Sequence, residues 1–175
     1  NRLLGMELCR RGQDHRVDVV AGETFLKDDE GEPAASLFTI SYIKEDAGPQ
    51  RPVAFVFNGG PGSASVWLHL GLLGPKRAVV ASNADADDGA APYRIVDNPE
   101  SLLDVTDLVF VDPVGTGFSQ TIGTGEGEDY WSEAGDKGSI GEFIRLWLNK
   151  HGRWNAPKYL IGESFGTTRA AYLAE

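Results

Sequence analysis

Ser164 stands in Gly162-Glu163-Ser164-Phe165-Gly166, a G-x-S-x-G pentapeptide. A serine hydroxyl is a poor nucleophile until its surroundings activate it. The pentapeptide alone is a weak signal, because Gly and Ser are common. Its neighbours add weight: the apolar run Tyr159-Leu160-Ile161 precedes it, and residues 167–174 read as a helix. Strand, sharp turn and helix are the setting of a nucleophile elbow. Glycines at 162 and 166 let the strand and helix backbones come close where a Cβ would collide. The Ser164 hydroxyl then stands at a helix N-terminus, whose free N–H groups favour a developing negative charge. The plainer alternative is a Gly-Ser turn that only joins a strand to a helix.

A second constellation, Asn58-Gly59-Gly60-Pro61-Gly62, directly follows the apolar run Val53-Ala54-Phe55-Val56-Phe57. Glycines there let backbone N–H groups reach a ligand unobstructed. An oxyanion hole needs two such donors aimed at one oxygen. After an elbow serine, one comes from the next residue, here Phe165, and the other from a Gly-rich loop behind an earlier strand. A third segment, Asp112-Pro113-Val114-Gly115-Thr116-Gly117-Phe118-Ser119, also follows an apolar run. A phosphate loop is a poor reading of it, since no Lys-Ser/Thr pair follows and the third glycine of a dinucleotide fingerprint is missing. A loop at the carboxyl end of a strand, lining the same crevice, fits better.

The elements that must position these loops are legible. Residues 15–27 and 34–44 carry β-branched and aromatic residues around the turn-rich link Asp28-Asp29-Glu30-Gly31-Glu32-Pro33, which predicts an antiparallel pair. Residues 52–57, 107–111 and 158–161 are continuous apolar runs, as expected of strands buried on both faces. Ile140, Phe143, Ile144, Trp147 and Leu148 recur at helical spacing and predict a helix over residues 139–150 whose stripe is core packing. The result is a mixed, mostly parallel α/β sheet flanked by helices after antiparallel N-terminal strands. Residues 84–91 and 123–127 read as flexible surface loops.

The 175 residues are enough for one domain with a sizeable core, and the 41% apolar share is that of a globular chain. A formal net charge of -10 argues against nucleic acid as a partner, because phosphate contacts need clustered Lys and Arg. The acidic stretches at residues 28–32, 85–88 and 126–129 read as solvated turns; no His or Cys accompanies them at ligand spacing, so no metal site and no cofactor is expected. Cys9 is the single cysteine, so no disulfide forms within the chain. No apolar run is long enough to span a bilayer, so no membrane partner is expected.

In combination and in order, Asn58-Gly59-Gly60-Pro61-Gly62, Leu73-Gly74-Pro75, Asn98-Pro99-Glu100-Ser101, Asp112-Pro113 with Gly115-Thr116-Gly117-Phe118-Ser119, and Gly162-Glu163-Ser164-Phe165-Gly166 resemble the serine carboxypeptidases, a family of α/β-hydrolase fold. The resemblance runs from about Ala34 to the end. It implies Ser164 as nucleophile, the Gly60 and Phe165 N–H groups as oxyanion hole, and Asn58, the Gly59 N–H and Glu163 as the groups that recognise the free C-terminal carboxylate of a peptide substrate. Val56 replaces the Trp that many eukaryotic members carry two residues before the Asn, and Ser63 replaces a disulfide Cys. The first departure bears on the preference for the terminal residue; the second, with the single Cys9, suggests a bacterial-type member. A secreted or periplasmic location is expected.

In α/β hydrolases the acid and the histidine of the triad follow the serine. Nothing suitable follows Ser164, and His15, His69 and His151 read as structural or surface residues. The chain is therefore expected to be the N-terminal part of a single domain, inactive alone, with the remaining C-terminal part supplying the triad. Other readings stay open: an aminopeptidase (prolyl aminopeptidases share the Gly-Gly-Pro-Gly loop), an esterase, an acyltransferase, or a binding domain without catalysis.

Overall fold

The computed structural model describes residues 2–10, 13–80 and 91–175, with side chains from Arg16 onward. The acidic turn at residues 85–88, most of the loop at 84–91, and the side chains of Cys9 and His15 lie outside the described residues. Strands β1 (Arg2–Arg10), β2 (Gln13–Lys27) and β3 (Pro33–Lys44) form an antiparallel meander. The Asp28 carboxylate closes the second turn by accepting from the N–H groups of Glu30 (3.1 Å) and Glu32 (2.8 Å). β1 has no β-branched or aromatic residue, and nothing in its sequence announces it. It is a strand because β2 offers it a ladder from Arg2↔Ala21 to Arg10↔Gln13.

Next come β4 (Val53–Phe57) and a short helix α1 (Val66–Leu68) that widens into a π-turn (His69–Leu73). A two-stranded ribbon of β5 (Lys76–Ala78) and β6 (Ile95–Asp97) precedes β7 (Asp107–Val111). β8 (Gln120–Thr121) pairs back onto β3. The loop after it lies on the surface but is fastened, contrary to expectation: Ile122 N–H donates to Ala34 O at 3.0 Å, and the Thr124 hydroxyl donates to the Asp28 carboxylate at 2.6 Å. The helices α2 (Glu128–Trp131) and α3 (Glu133–His151), strand β9 (Lys158–Gly162) and helix α4 (Phe165–Leu173) complete the order. α3 begins ahead of its apolar stripe because Ser132 caps it, accepting from Gly135 N–H at 3.0 Å. It ends at Gly152, whose φ of 63° turns the chain out of the helix.

The large sheet has the order β1-β2-β3-β7-β4-β9. Its N-terminal half is antiparallel, while β7, β4 and β9 run parallel. Every residue of β4 and β7 is buried. Alternation along β4 sends Val53, Phe55 and Phe57 into one core beneath α3, and Ala54 and Val56 into another with Tyr42, Leu68 and Phe110. Phe55 meets Trp147 edge-on at 5.4 Å between ring centroids. Truncating such a fully buried ring to alanine costs about 3–5 kcal/mol. From β4 the chain crosses to β7 on one side, and after β7 it passes back over β4 to β9 on the other, so the strand order reverses at β4. That is where the loops leaving carboxyl ends open a crevice, and the register Phe57↔Gly162 sets two of those loops side by side.

Candidate active site

The turn between β9 and α4 holds Ser164 at φ 56°, ψ -126°. Among the described residues, only Asp46 and Ser164 are non-glycines with positive φ. Such a conformation costs about 1–3 kcal/mol and persists only when its surroundings enforce it. Here Gly166 N–H donates to Glu163 O (2.8 Å) and Thr167 N–H to Ser164 O (2.9 Å). The glycines let the turn close: a Cβ on Gly162 would lie 2.0 Å from Gly166 O, and one on Gly166 would lie 2.7 Å from Phe57 O. Ser164 is left exposed at the first turn of α4.

The loop after β4 presses directly on this turn. A Cβ on Gly59 would fall 2.4 Å from Phe165 N and 2.7 Å from Glu163 O. Gly60 takes a φ of 105°, a conformation open to glycine. As the first residue of α4, Phe165 has an N–H with no acceptor inside the helix. The buried Asn58 side chain is fixed at both ends. Its Oδ1 accepts from Leu68 N–H (3.0 Å), which leaves Nδ2 to donate to Glu163 Oε2 at 3.1 Å. Two of the three groups that the resemblance assigns to the carboxylate are thus brought into contact, next to Ser164.

Two cavities open beside the elbow. One of about 470 Å³ is lined by Asn58, Ser63, Trp67, Leu72 and Glu163. The other, about 300 Å³, has walls from Pro61, Val114, Trp131 and Phe165, so the loop after β7 does line the crevice. That loop is tied down by Asp112, whose carboxylate accepts from Ser65 N–H at 2.8 Å; burial pushes its carboxyl up from the usual range. A Cβ on Gly117 would lie 2.0 Å from Asp112 Oδ2. The two remaining motifs buttress the first cavity: Asn98 Nδ2 donates to Leu72 O (2.7 Å) and Gly74 O (2.8 Å), and the Ser101 hydroxyl donates to Leu73 O (2.7 Å).

The histidines with described side chains are engaged elsewhere. His69 is buried with its Nε2 2.7 Å from the Tyr42 hydroxyl and its ring 4.5 Å from that of Phe110. His151 stacks on Trp147 at 4.3 Å. Burial holds each at about 4.

One group beneath the site was not anticipated. Asp136 on α3 accepts from Arg169 Nε (2.7 Å) and Nη2 (2.8 Å), and also from the Tyr172 hydroxyl. Arg169 Nη1 donates to Asn58 O at 2.7 Å. A signal was present: Arg169 lies in helical phase with the buried Gly166 and Tyr172, and Asp136 with the stripe of Ile140, Phe143 and Trp147. Opposite charges on the buried faces of two helices mark an internal ion pair.

A profile described as Serine carboxypeptidase matches residues 24–175. Serine carboxypeptidase-like 15 of Arabidopsis thaliana is 31% identical over 127 residues, 71% of this chain and 28% of that protein. Pheromone-processing carboxypeptidase KEX1 of Cryptococcus gattii is 32% identical over 150 residues, 83% of this chain and 20% of that protein. The chain thus spans 20–28% of the length of these relatives. They are a plant and a fungal protein and lend the bacterial-type expectation no support. A crystal structure of Kex1(delta)p, a prohormone-processing carboxypeptidase from Saccharomyces cerevisiae, covers 90% of this chain and 33% of its own at a TM-score of 0.64 and 24% identity. At that identity the likeness is one of fold, the α/β-hydrolase fold.

Proposed function

The chain belongs to the serine carboxypeptidase family, and from that premise we propose that it carries the nucleophile, oxyanion hole and carboxylate site of a serine-type carboxypeptidase. In this reading residues 1–175 are the N-terminal part of a single α/β-hydrolase domain. The remaining C-terminal part supplies the acid and the histidine, and the enzyme works outside the cytoplasm, secreted or periplasmic. The observation that carries the reading is the 3.1 Å contact between Asn58 Nδ2 and Glu163 Oε2 beside an elbow serine held at φ 56°.

Ser164 Oγ attacks the last peptide carbonyl of the substrate as the histidine takes its proton. The oxyanion that forms is met by the Gly60 and Phe165 N–H groups. The C–N bond then breaks, the histidine returns its proton to the leaving amine, and the acyl group stays on Ser164 until water releases it. The departing residue's carboxylate is held by Asn58 Nδ2, the Gly59 N–H and Glu163. Two ionised carboxylates in contact repel, so Glu163 and the substrate share a proton, and the repulsion becomes a short hydrogen bond. The cavity flanked by Trp67 and Leu72 is placed to receive the side chain of that residue.

The test uses the full-length protein: a fluorophosphonate probe, and peptides with either terminus free or blocked. Ser164-dependent labelling, with cleavage that requires a free C-terminal carboxylate, is the expected result. Ser164→Ala should lose about a million-fold in kcat, by analogy with other serine triads. Cleavage indifferent to the C terminus would move the chain to an aminopeptidase, esterase or acyltransferase reading. Absence of labelling would leave a non-catalytic binding domain.

A further inference from the structure

A carboxypeptidase must bind an anion, yet the groups assigned to it here are a neutral amide, a backbone N–H and an acid. A cation does stand behind them. Arg169 is buried, its guanidinium centre 5.2 Å from the Phe57 ring centroid and 5.5 Å from that of Phe165. Its Nη1 donates to the carbonyl of Asn58 at 2.7 Å, while Nε and Nη2 are taken by Asp136. The Asn58 carbonyl and the Gly59 N–H belong to one peptide unit. That unit is planar and trans, since the cis bonds among the described residues fall at Gly60-Pro61 and Ala91-Pro92. A donor gripping the carbonyl therefore fixes the direction of the N–H, which points away from Arg169. It also polarises the unit, because hydrogen bonds in series strengthen one another.

We infer that Arg169 is a positioning residue for recognition of the substrate's C-terminal carboxylate, aiming and polarising the Gly59 N–H through the Asn58 carbonyl. The inference rests on the carboxylate site proposed above. The pair is oriented for this work: its positive end faces the Asn58 loop and its negative end faces α3. The positive charge reaches the substrate through one peptide unit without a long side chain entering the cavity. A bracing role alone is a weak reason for a buried ion pair, since apolar residues of similar volume brace as well.

Three variants of the full-length protein test this. Arg169→Met removes all donors, Arg169→Lys keeps the charge with fewer directed donors, and the triple variant Asp136→Leu/Arg169→Met/Tyr172→Phe removes the charges together without leaving an unpaired charge behind. Each is assayed on one peptide with a free C terminus and again as its C-terminal amide, alongside the rate of fluorophosphonate labelling of Ser164. Losing one charge-assisted hydrogen bond's worth of carboxylate binding should raise KM for the free acid about ten-fold in Arg169→Met. Arg169→Lys should fall between it and wild type, and KM for the amide and the labelling rate should shift less than about two-fold. The triple variant should repeat the free-acid loss and settles the matter if Arg169→Met does not fold. An equal rise for acid and amide, a parallel fall in labelling, or an unchanged free-acid KM overturns the inference. Wild-type protein that shows no preference for the free acid removes the carboxylate site, and the inference with it. A wild-type preference that survives in all three variants removes the inference alone.

Discussion

In the proposed carboxylate site Glu163 is an acid set against an anion, and its role is a matter of one proton. Its Oε2 already accepts from Asn58 Nδ2 at 3.1 Å. A protonated Glu163 gives the substrate carboxylate a donor, whereas an ionised one repels it. Binding of free-acid peptides should therefore need a donor at this position, while amide substrates need it less. Glu163→Gln keeps a donor and cannot ionise, so it should hold KM for free-acid peptides, whereas Glu163→Ala should raise it about ten-fold. An unchanged free-acid KM in Glu163→Ala would show that Glu163 is not the carboxylate's partner. Ser164, one residue on, is defined by backbone shape as much as by its hydroxyl, since its neighbours hold it in a region few side chains visit.

At the scale of elements, the β4 loop and the β9–α4 elbow meet through missing side chains. A methyl on Gly59 would need the space of Phe165 N, 2.4 Å away. Gly59→Ala must push the two loops apart, and displacements near 1 Å between positioned groups cost about a hundred-fold in rate. We expect kcat to fall by that order and probe labelling to slow with it, while Gly138→Ala on α3, where a Cβ meets nothing within 4 Å, serves as control. The π-turn behind the site carries a pH dependence of its own. Burial lowers His69 to about 4 in the folded protein, against about 6.5 when unfolded. The unfolded chain therefore binds the extra proton first. The stability that His69 contributes is complete above pH ~6.5 and is lost as pH falls towards ~4, with a ceiling of about 3 kcal/mol. Denaturant titrations at pH 7 and 4.5 should show wild type losing about 2 kcal/mol more than His69→Gln. Equal losses would place the acid sensitivity elsewhere.

For the whole molecule, the decisive fact is where the strand order turns round. β4 lies between β7 and β9, and loops more than a hundred residues apart in sequence leave their carboxyl ends together; Asn58 and Glu163 are separated by 105 positions. Parallel registry, not proximity along the chain, assembles the site. The same view bears on what this length of chain can do. His69 is held by Tyr42 and Phe110 and His151 by Trp147, which removes both as bases for Ser164. Assayed by itself, the 175-residue chain is expected to show no Ser164-dependent turnover, because a serine without a base is a weak nucleophile. Turnover that disappears in Ser164→Ala would prove that a base lies within it.

The sequence by itself determined the features that repeat at short range. Continuous apolar runs marked β4, β7 and β9, helical spacing from Ile140 to Leu148 marked α3, and Gly-Glu-Ser-Phe-Gly between a run and a helix marked the elbow. Each is legible because burial on a strand or a helix leaves a period of two or of three to four. Tertiary structure alone decided the rest. β1 is a strand through its ladder with β2, although its residues favour no such state. The loop at residues 123–127 is rich in glycine and reads as loose, yet Pro33 and Asp28 hold it through Thr124. Arg169 and Asp136 became a pair only when α3 and α4 were laid against the end of β4, with Arg169 reaching Asn58 across 111 positions. Helical phase marks each residue as facing inward, but the choice of partner leaves no period in a sequence, because the free energy that selects it arises only when distant surfaces are desolvated together.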